Sequence, residues 1–276
     1  MTQDVITSAP SRLLYADESG PVQVVDIRNL SPFLLVCDHA GNRLSRRLGQ
    51  LGLQPSDLER HIAWDIGAAD VTRMMAEDLG ATAILQTYSR LVIDCNREPG
   101  SLDSIAGSSD GIVIPGNQTL SPADREMRIA EIFQPYHRAI NSELTRRQQA
   151  QLPVALISLH SFTPIMGGVQ RPWDIGIMHN RDASMAGPMI ELLRGDPNVT
   201  VGDNVPYAIT DDTDYTIPIH GERRGIPSLA IELRQDLIGD VDGQRAWSKR
   251  LSKILTSLKD MMSLEASDTA PKRMAS

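Results

Sequence analysis

The stretch Val154-Ala155-Leu156-Ile157-Ser158-Leu159-His160-Ser161-Phe162 carries an imidazole to the end of an apolar run. Such a run reads as a strand buried on both faces of a parallel sheet, and strands of that kind deliver functional groups at their C-terminal ends. The same pattern recurs at Pro32-Phe33-Leu34-Leu35-Val36-Cys37, which stops at Asp38-His39-Ala40-Gly41-Asn42. The small residues Ala40 and Gly41 let backbone or ligand come close there. Glu232 sits inside the apolar run from Pro227 to Leu233. An unpaired carboxylate in that setting would cost several kcal/mol, so it must face a cation, a metal or water. His61-Ile62-Ala63-Trp64-Asp65 gathers an imidazole, an indole and a carboxylate, and Asn96-Arg97 offers an amide beside a guanidinium fork that matches a carboxylate bidentately.

Two neutral imidazoles and one carboxylate, His39, His160 and Asp65, suit an open zinc site in which three protein ligands leave a position for water. Glu232 would then shuttle the proton, and Asn96-Arg97 would hold a carboxylate of the substrate. Each group also has an ordinary explanation. A lone histidine can be satisfied by a backbone carbonyl, Asp65 can cap a helix, Asp38 to Asn42 can form a turn, and Arg90 or Arg97 can make a surface ion pair. Their wide spacing along the chain is what a site at one sheet edge requires.

The elements that must position these groups follow from periodicity. Strands are expected over Ala81 to Gln86, Leu91 to Cys95 and Trp173 to Met178, besides the three runs above. A helix is expected after Asp65, with Gly80 as its stop, and another from Ser121-Pro122-Ala123-Asp124 to about Gln151, enclosing His137 as a packed or surface residue. Helices from about Ala183 to Arg194 and from Asp242 to Leu264 complete the set. Pro99 to Leu120 and Val205 to Gly225 are too polar and broken for core elements and read as functional loops.

The chain has 276 residues, 41% hydrophobic and 22% charged, which suits one large α/β unit. A single domain over residues 1–265 with a frayed tail at 266–276 is expected, since no Gly/Ser- or Pro-rich linker divides the chain. A net charge of -8 argues against a nucleic-acid surface. No apolar run nears the roughly 18 residues needed to span a bilayer. The N-terminus has no signal-like segment, and Cys37 and Cys95 sit in apolar runs, so reduced buried thiols and a cytoplasmic location are expected. A nucleophilic serine or cysteine hydrolase is not expected, because Ser161 follows a strand histidine without a G-x-S-x-G elbow and both cysteines read as buried.

Asp38-His39-Ala40-Gly41-Asn42, His61 through Ala68, Ser89 through Arg97 and Leu159-His160-Ser161-Phe162 together resemble the N-formylglutamate amidohydrolases, over about Leu34 to Leu237. Behind that stands a looser similarity to zinc carboxypeptidases and acylamino-acid deacylases, carried by His39, Asn96-Arg97, His160-Ser161 and Glu232-Leu233-Arg234. The departure is at Asn42, where the peptidase pattern requires glutamate three residues after its first histidine. Either Asp65 supplies the carboxylate, the preferred reading, or the metal is weakly held or absent.

The resemblance implies a three-layer α/β/α fold with a mixed, mostly parallel sheet. It also implies metal-dependent hydrolysis of the linear amide of an N-formyl or N-acyl amino acid, N-formylglutamate above all, in amino-acid catabolism such as histidine degradation. His39, Asp65 and His160 would bind zinc or another divalent metal, and Glu232 would be the proton carrier. Asn96 and Arg97 would take the substrate carboxylate, with Arg90 or Arg234 for a second one. His220 and His61 are candidate donors to the transition state or supports for the groups around it. The partner would be a small acidic N-acyl amino acid, with no nucleic acid or membrane. The rival readings are a carboxypeptidase-like enzyme acting on peptides or cell-wall fragments and a non-catalytic binder of an acidic metabolite.

Overall fold

The computed structural model describes residues 12–26 and 31–268, with side chains up to residue 260. The expected N-terminal character and most of the expected tail fall outside these residues. The runs of apolar residues form a seven-stranded sheet: β1 (Val22–Val25), β2 (Phe33–Cys37), β3 (Thr82–Gln86), β4 (Ala155–Phe162), β5 (Ile175–Met178), β6 (Val201–Asp203) and β7 (Ser228–Arg234). Their spatial order is β1-β3-β2-β4-β7-β5-β6. Four neighbouring pairs are parallel, β2 with β3 and β4, β4 with β7, and β5 with β6; β1 and β5 run antiparallel to β3 and β7. The expected mixed, mostly parallel sheet is therefore present.

β2 and β4 are buried at every position because helices cover both faces of the sheet. Alternate residues sort the faces. Phe33, Leu35, Ile157, Leu159, Ile231 and Leu233 pack against α2 (Ala68–Leu79), which follows the single turn α1 (Pro55–Leu58), and against α5 (Ala186–Arg194) and α6 (Val241–Asp268). In α6 the inward residues Trp247, Leu251, Leu255 and Leu258 recur every three or four positions, the spacing that puts them on one stripe. The opposite faces of the strands, including Leu34, Val36, Leu156 and Ala230, pack against Ile132, Phe133, Tyr136, Ile140 and Leu144. These belong to α4 (Gln134–Gln149) and to the π-helical turn Ile129–Phe133 that joins it to the preceding α3 (Pro122–Arg128). Each fully buried Leu or Ile contributes about 1.5–3 kcal/mol, so the two packed faces fix the strands whose ends carry the polar groups.

Three sequence expectations change. Leu91 to Cys95 is not a strand but a buried irregular segment. Its peptide groups find side-chain and loop-backbone partners instead of a sheet neighbour: the Asn117 side chain donates to the Leu91 carbonyl and that of Arg128 to the Val92 carbonyl, and the Asp94 amide bonds the Ser104 backbone carbonyl. Asn96-Arg97 thus lies at the end of a loop. Asp65 does not cap α2. The N-cap is Gly67, left-handed at φ 79°, where an added Cβ would stand 2.2 Å from the Ile238 carbonyl oxygen. Only glycine fits there, and the turn it makes leaves the Asp65 side chain for other partners. The third change is at the C-terminus, where α6 reaches Asp268, into the segment expected to fray. Ser121 caps α3 as expected, accepting from the Asp124 amide at 3.1 Å. Among the described residues no helix is long and apolar enough to cross a membrane.

Candidate active site

β2, β4 and β7 are adjacent and parallel, so their C-terminal ends share one sheet edge. His39 follows β2, while His160 and Glu232 are register partners near the ends of β4 and β7. The turn before α2 brings Asp65 to the same place, pinned by a bond from its amide to the His39 carbonyl at 3.0 Å. A cavity of ≈ 470 Å³ opens there, and His39, Asp65, His160, Glu232, Arg90 and Arg97 all line it.

One carboxylate oxygen organises the centre. Asp65 Oδ2 lies 2.9 Å from His160 Nδ1 and 3.3 Å from His39 Nδ1, and a donor atom from each of the three residues falls within 4.8 Å of the others. The far nitrogen of each ring is held by a further carboxylate, His39 Nε2 by Asp94 Oδ1 at 2.8 Å and His160 Nε2 by Asp38 Oδ2 at 3.1 Å. Asp38 in turn accepts from Tyr136 Oη, Thr216 Oγ1 and Ser158 Oγ at 2.8, 2.8 and 3.1 Å. Asp94 accepts from the Asn96 amide at 2.8 Å and from Arg90 at 2.5 Å. Burial alone would raise the pKa values of Asp38, Asp65 and Asp94, yet the facing imidazoles and, for Asp94, Arg90 hold all three below the usual carboxylate range.

The donor set fits a divalent cation. Asp94 and Asp38 are ionised and can only accept, so the two Nε2 atoms carry the hydrogens. Each Nδ1 then turns a bare lone pair toward the oxygen of Asp65 unless a proton or a cation lies between them. Burial pulls both imidazoles down, but the surrounding carboxylates outweigh it and raise both, His160 strongly. The site therefore draws positive charge. Imidazole nitrogens oriented by carboxylates are the usual surroundings of a bound metal.

Glu232 completes the wall with one oxygen, Oε2, that has no hydrogen-bond partner. Burial pushes its carboxyl up to about 7, against the pull of His160. Arg90 lines the cavity but its guanidinium is committed to Asp94, with Asp65 at 3.6 Å. Arg97 spends Nη1 on the carbonyls of Asn96 and Thr213. His61 also lines the cavity, with Nε2 unbonded and 3.4 Å from Asp110. Burial and nearby arginines keep it below the usual imidazole value, so it is neutral at pH 7.

Three expected roles are displaced. The Asn96 carboxamide lines the cavity but is consumed by the chain, donating to Asp214 and accepting from the Tyr215 and Thr216 amides. Arg234 is outside the cavity lining, tied to Asp174 and Asp236. His220 is outside it as well. It lies in the π-helical turn Ile217–Gly221 and its Nε2 faces His137 Nδ1 at 2.9 Å, while His137 Nε2 donates to the Cys95 carbonyl at 2.8 Å. Both rings are neutral in that chain of donors, and burial pushes His137 down to about 4 and His220 to about 3.

This pair makes stability pH-dependent. An unfolded histidine titrates near 6.5, so between there and about 4 the unfolded chain binds more protons than the folded one, and stability falls with the pH. His220→Gln keeps a donor toward His137 and removes one titration. Its denaturant midpoint is expected to drop less steeply than that of the wild type from pH 7 to pH 4, and equal slopes would refute the assignment.

Asp38, Asp94, Tyr136 and Thr216 were not among the expected site residues. The reasoning applied to Glu232, an acid within or ending an apolar run, was available for Asp94 and Asp38. Nothing local marks Thr216 or Tyr136.

A buried His-Asp-His group that could hold a metal ion thus lies at the strand ends of an α/β/α sheet, with a cavity glutamate beside it. A family model described as N-formylglutamate amidohydrolase matches residues 31–239, and the chain belongs to that family. The crystal structure of gene product Atu2144 from Agrobacterium tumefaciens superposes with a TM-score of 0.88 at 34% identity, covering 91% of this chain and all of that one. N-formylglutamate amidohydrolase from Ralstonia eutropha JMP134 shares the fold, with a TM-score of 0.66 at 20% identity over 90% of this chain and 100% of that one. N-formylglutamate deformylase of Pseudomonas putida is 28% identical over 179 residues, 59% of this chain. The match spans 65% of that relative's length, a little under two thirds.

Proposed function

We propose that the chain hydrolyses the linear amide of an N-formyl or N-acyl acidic amino acid, N-formylglutamate in the first instance. The observation that carries the reading is the convergence of His39 Nδ1, His160 Nδ1 and Asp65 Oδ2 in a cavity that also holds the unpartnered oxygen of Glu232. His39, Asp65 and His160 would hold zinc or another divalent ion, which supplies Lewis acidity, making water acidic and polarising a carbonyl.

The protein's own groups do the rest. Asp94 and Asp38 keep the two rings turned with Nδ1 toward Asp65, where the three residues would hold the ion. Glu232 takes a proton from the attacking water at its free oxygen and returns it to the amide nitrogen as the carbon–nitrogen bond breaks, giving the free amine and the carboxylic acid of the acyl group, which then ionises in water. A carboxyl poised near 7 suits a group that must both accept and release a proton at neutral pH. Arg97 keeps Nε and Nη2 free of hydrogen-bond partners among the described residues, which supports its taking the α-carboxylate. The neutral His61 offers a donor to the developing oxyanion.

Turnover of N-formyl-L-glutamate, N-acetyl-L-glutamate and short peptides by zinc-loaded protein tests the assignment. The expected order puts the formyl substrate first by at least tenfold in kcat/KM. Preference for peptides would move the chain to the carboxypeptidase-like reading, and no turnover with any divalent metal would leave a binder.

A further inference from the structure

A dicarboxylate ligand needs a second cation, and the two residues expected to provide it are occupied. Arg90 is committed to Asp94 and Arg234 lies elsewhere with Asp174 and Asp236. Arg60, near His61, is bound to Asp110. Arg171 is different: it has no carboxylate partner among the described residues. It stands at the base of the Ile165–Met166/Val169–Gln170 hairpin, where its amide bonds the Pro164 carbonyl at 2.8 Å. Its guanidinium lies over the Tyr207 ring, 4.8 Å from the centroid, and donates to the Tyr207 hydroxyl at 2.7 Å. Tyr207 and Met166 both line the cavity. Arg171 is not itself among the residues that line the cavity; stacking and a hydrogen bond to Tyr207 hold its guanidinium against a lining residue at the rim, and the rest of its fork has no hydrogen-bond partner among the described residues. Because the Tyr207 oxygen accepts from Arg171 and gives its own hydrogen to no described residue, the phenol is a second donor at the same spot.

We infer that Arg171, fixed by Tyr207, reads the side-chain carboxylate of the substrate, so that this rim pair sets the preference for acidic over neutral acyl amino acids. The inference rests on the proposed reaction for the kind of ligand, but its test uses molecules that retain both carboxylates and are not hydrolysed. Binding of L-glutamate and L-glutamine to the zinc-loaded full chain is measured by calorimetry for the wild type, Arg171→Met, Arg171→Lys and Tyr207→Phe. The wild type is expected to prefer glutamate by at least tenfold. The ratio falls to near one in Arg171→Met and by several-fold in Arg171→Lys, which keeps the charge but loses the fork, and also in Tyr207→Phe. Circular dichroism and the thermal midpoint check that the variants fold, and Arg171→Lys carries the test should the methionine variant not. An unchanged ratio in the arginine variants, or no preference in the wild type, overturns the inference. A preference for glutamate in a protein that hydrolyses no N-formyl amino acid would sink the proposed reaction and leave Arg171 standing. Turnover of formylated glutamate and glutamine at equal rates, with no binding preference, would do the reverse.

Discussion

Glu232→Gln is expected to lower kcat by about 10²- to 10⁴-fold, the range over which a positioned proton carrier acts, with metal content unchanged and a thermal midpoint at least as high as that of the wild type. The two halves of this expectation have one cause. The carboxyl is lodged where burial disfavours its charge and where Oε2 has no donor to stabilise it. Its folded value, pushed up to about 7, exceeds the unfolded one near 4.5, so its contribution to stability is full below the unfolded value and is lost as pH rises through 7. At pH 8 the metal-free wild type therefore carries a penalty that glutamine does not. The advantage of the variant should shrink toward pH 5. Steady-state kinetics and thermal melts of the two proteins at both pH values check this. A kcat within threefold of wild type would remove Glu232 from the reaction, and a variant clearly less stable at pH 8 would show that the carboxylate has a partner after all. The trade is the familiar one in which a functional group sits where stability alone would not put it.

That Glu232 could be found from sequence shows which parts of such a site are legible. A carboxylate within Leu229-Ala230-Ile231-Glu232-Leu233 contradicts its surroundings, and contradiction of local pattern is a signal. His39 and His160 were legible for a related reason, since each follows or ends a buried apolar run whose parallel pairing sends its C-terminus to one edge. Asp65 was visible as a residue but not as a non-cap, because the left-handed conformation of Gly67 and its tight approach to Ile238 depend on a carbonyl far along the chain. Leu91 to Cys95 looked like a strand because apolar residues in a short run carry the same signal whether a sheet or a set of side-chain donors satisfies the backbone. Asn117 and Arg128, which provide those donors, lie in segments whose position no local rule fixes. His220 failed for the same reason. Its exposure to the cavity or to His137 is decided by how the π-helical turn Ile217–Gly221 packs on α4, not by its neighbours in sequence. The hydrogen bonds that hold the site together are mostly of this kind, with Thr216 reaching Asp38 across 178 positions.

Zinc added to the chelator-treated protein is expected to raise its thermal midpoint by on the order of 10 °C. Ligand at about a thousand times its dissociation constant stabilises by about 4 kcal/mol, and each kcal/mol moves the midpoint of a chain of this size by about 2–4 °C. The two carboxylates behind the rings should divide this effect in different ways. Asp94 holds His39 and is held by Arg90 and the Asn96 amide, near the cavity surface. Asp94→Asn is therefore expected to weaken zinc affinity by about 10- to 100-fold, the usual consequence of loosening a ligand's support, with a small change in the metal-free midpoint. Asp38 has no exposure and accepts from Tyr136, Thr216 and Ser158 as well as His160. In Asp38→Asn the amide can accept through only one of its two terminal atoms, so at least one buried hydroxyl or ring nitrogen loses its acceptor, at about 1–3 kcal/mol for each group left unpaired. That variant should lose stability with or without zinc, in addition to affinity. Zinc titrations followed by melting for the wild type, Asp94→Asn, Asp38→Asn and His39→Ala separate the cases. The histidine variant should lose the zinc-induced shift. A wild-type midpoint indifferent to every divalent metal would mean that protons, not a cation, occupy the space between the rings and Asp65.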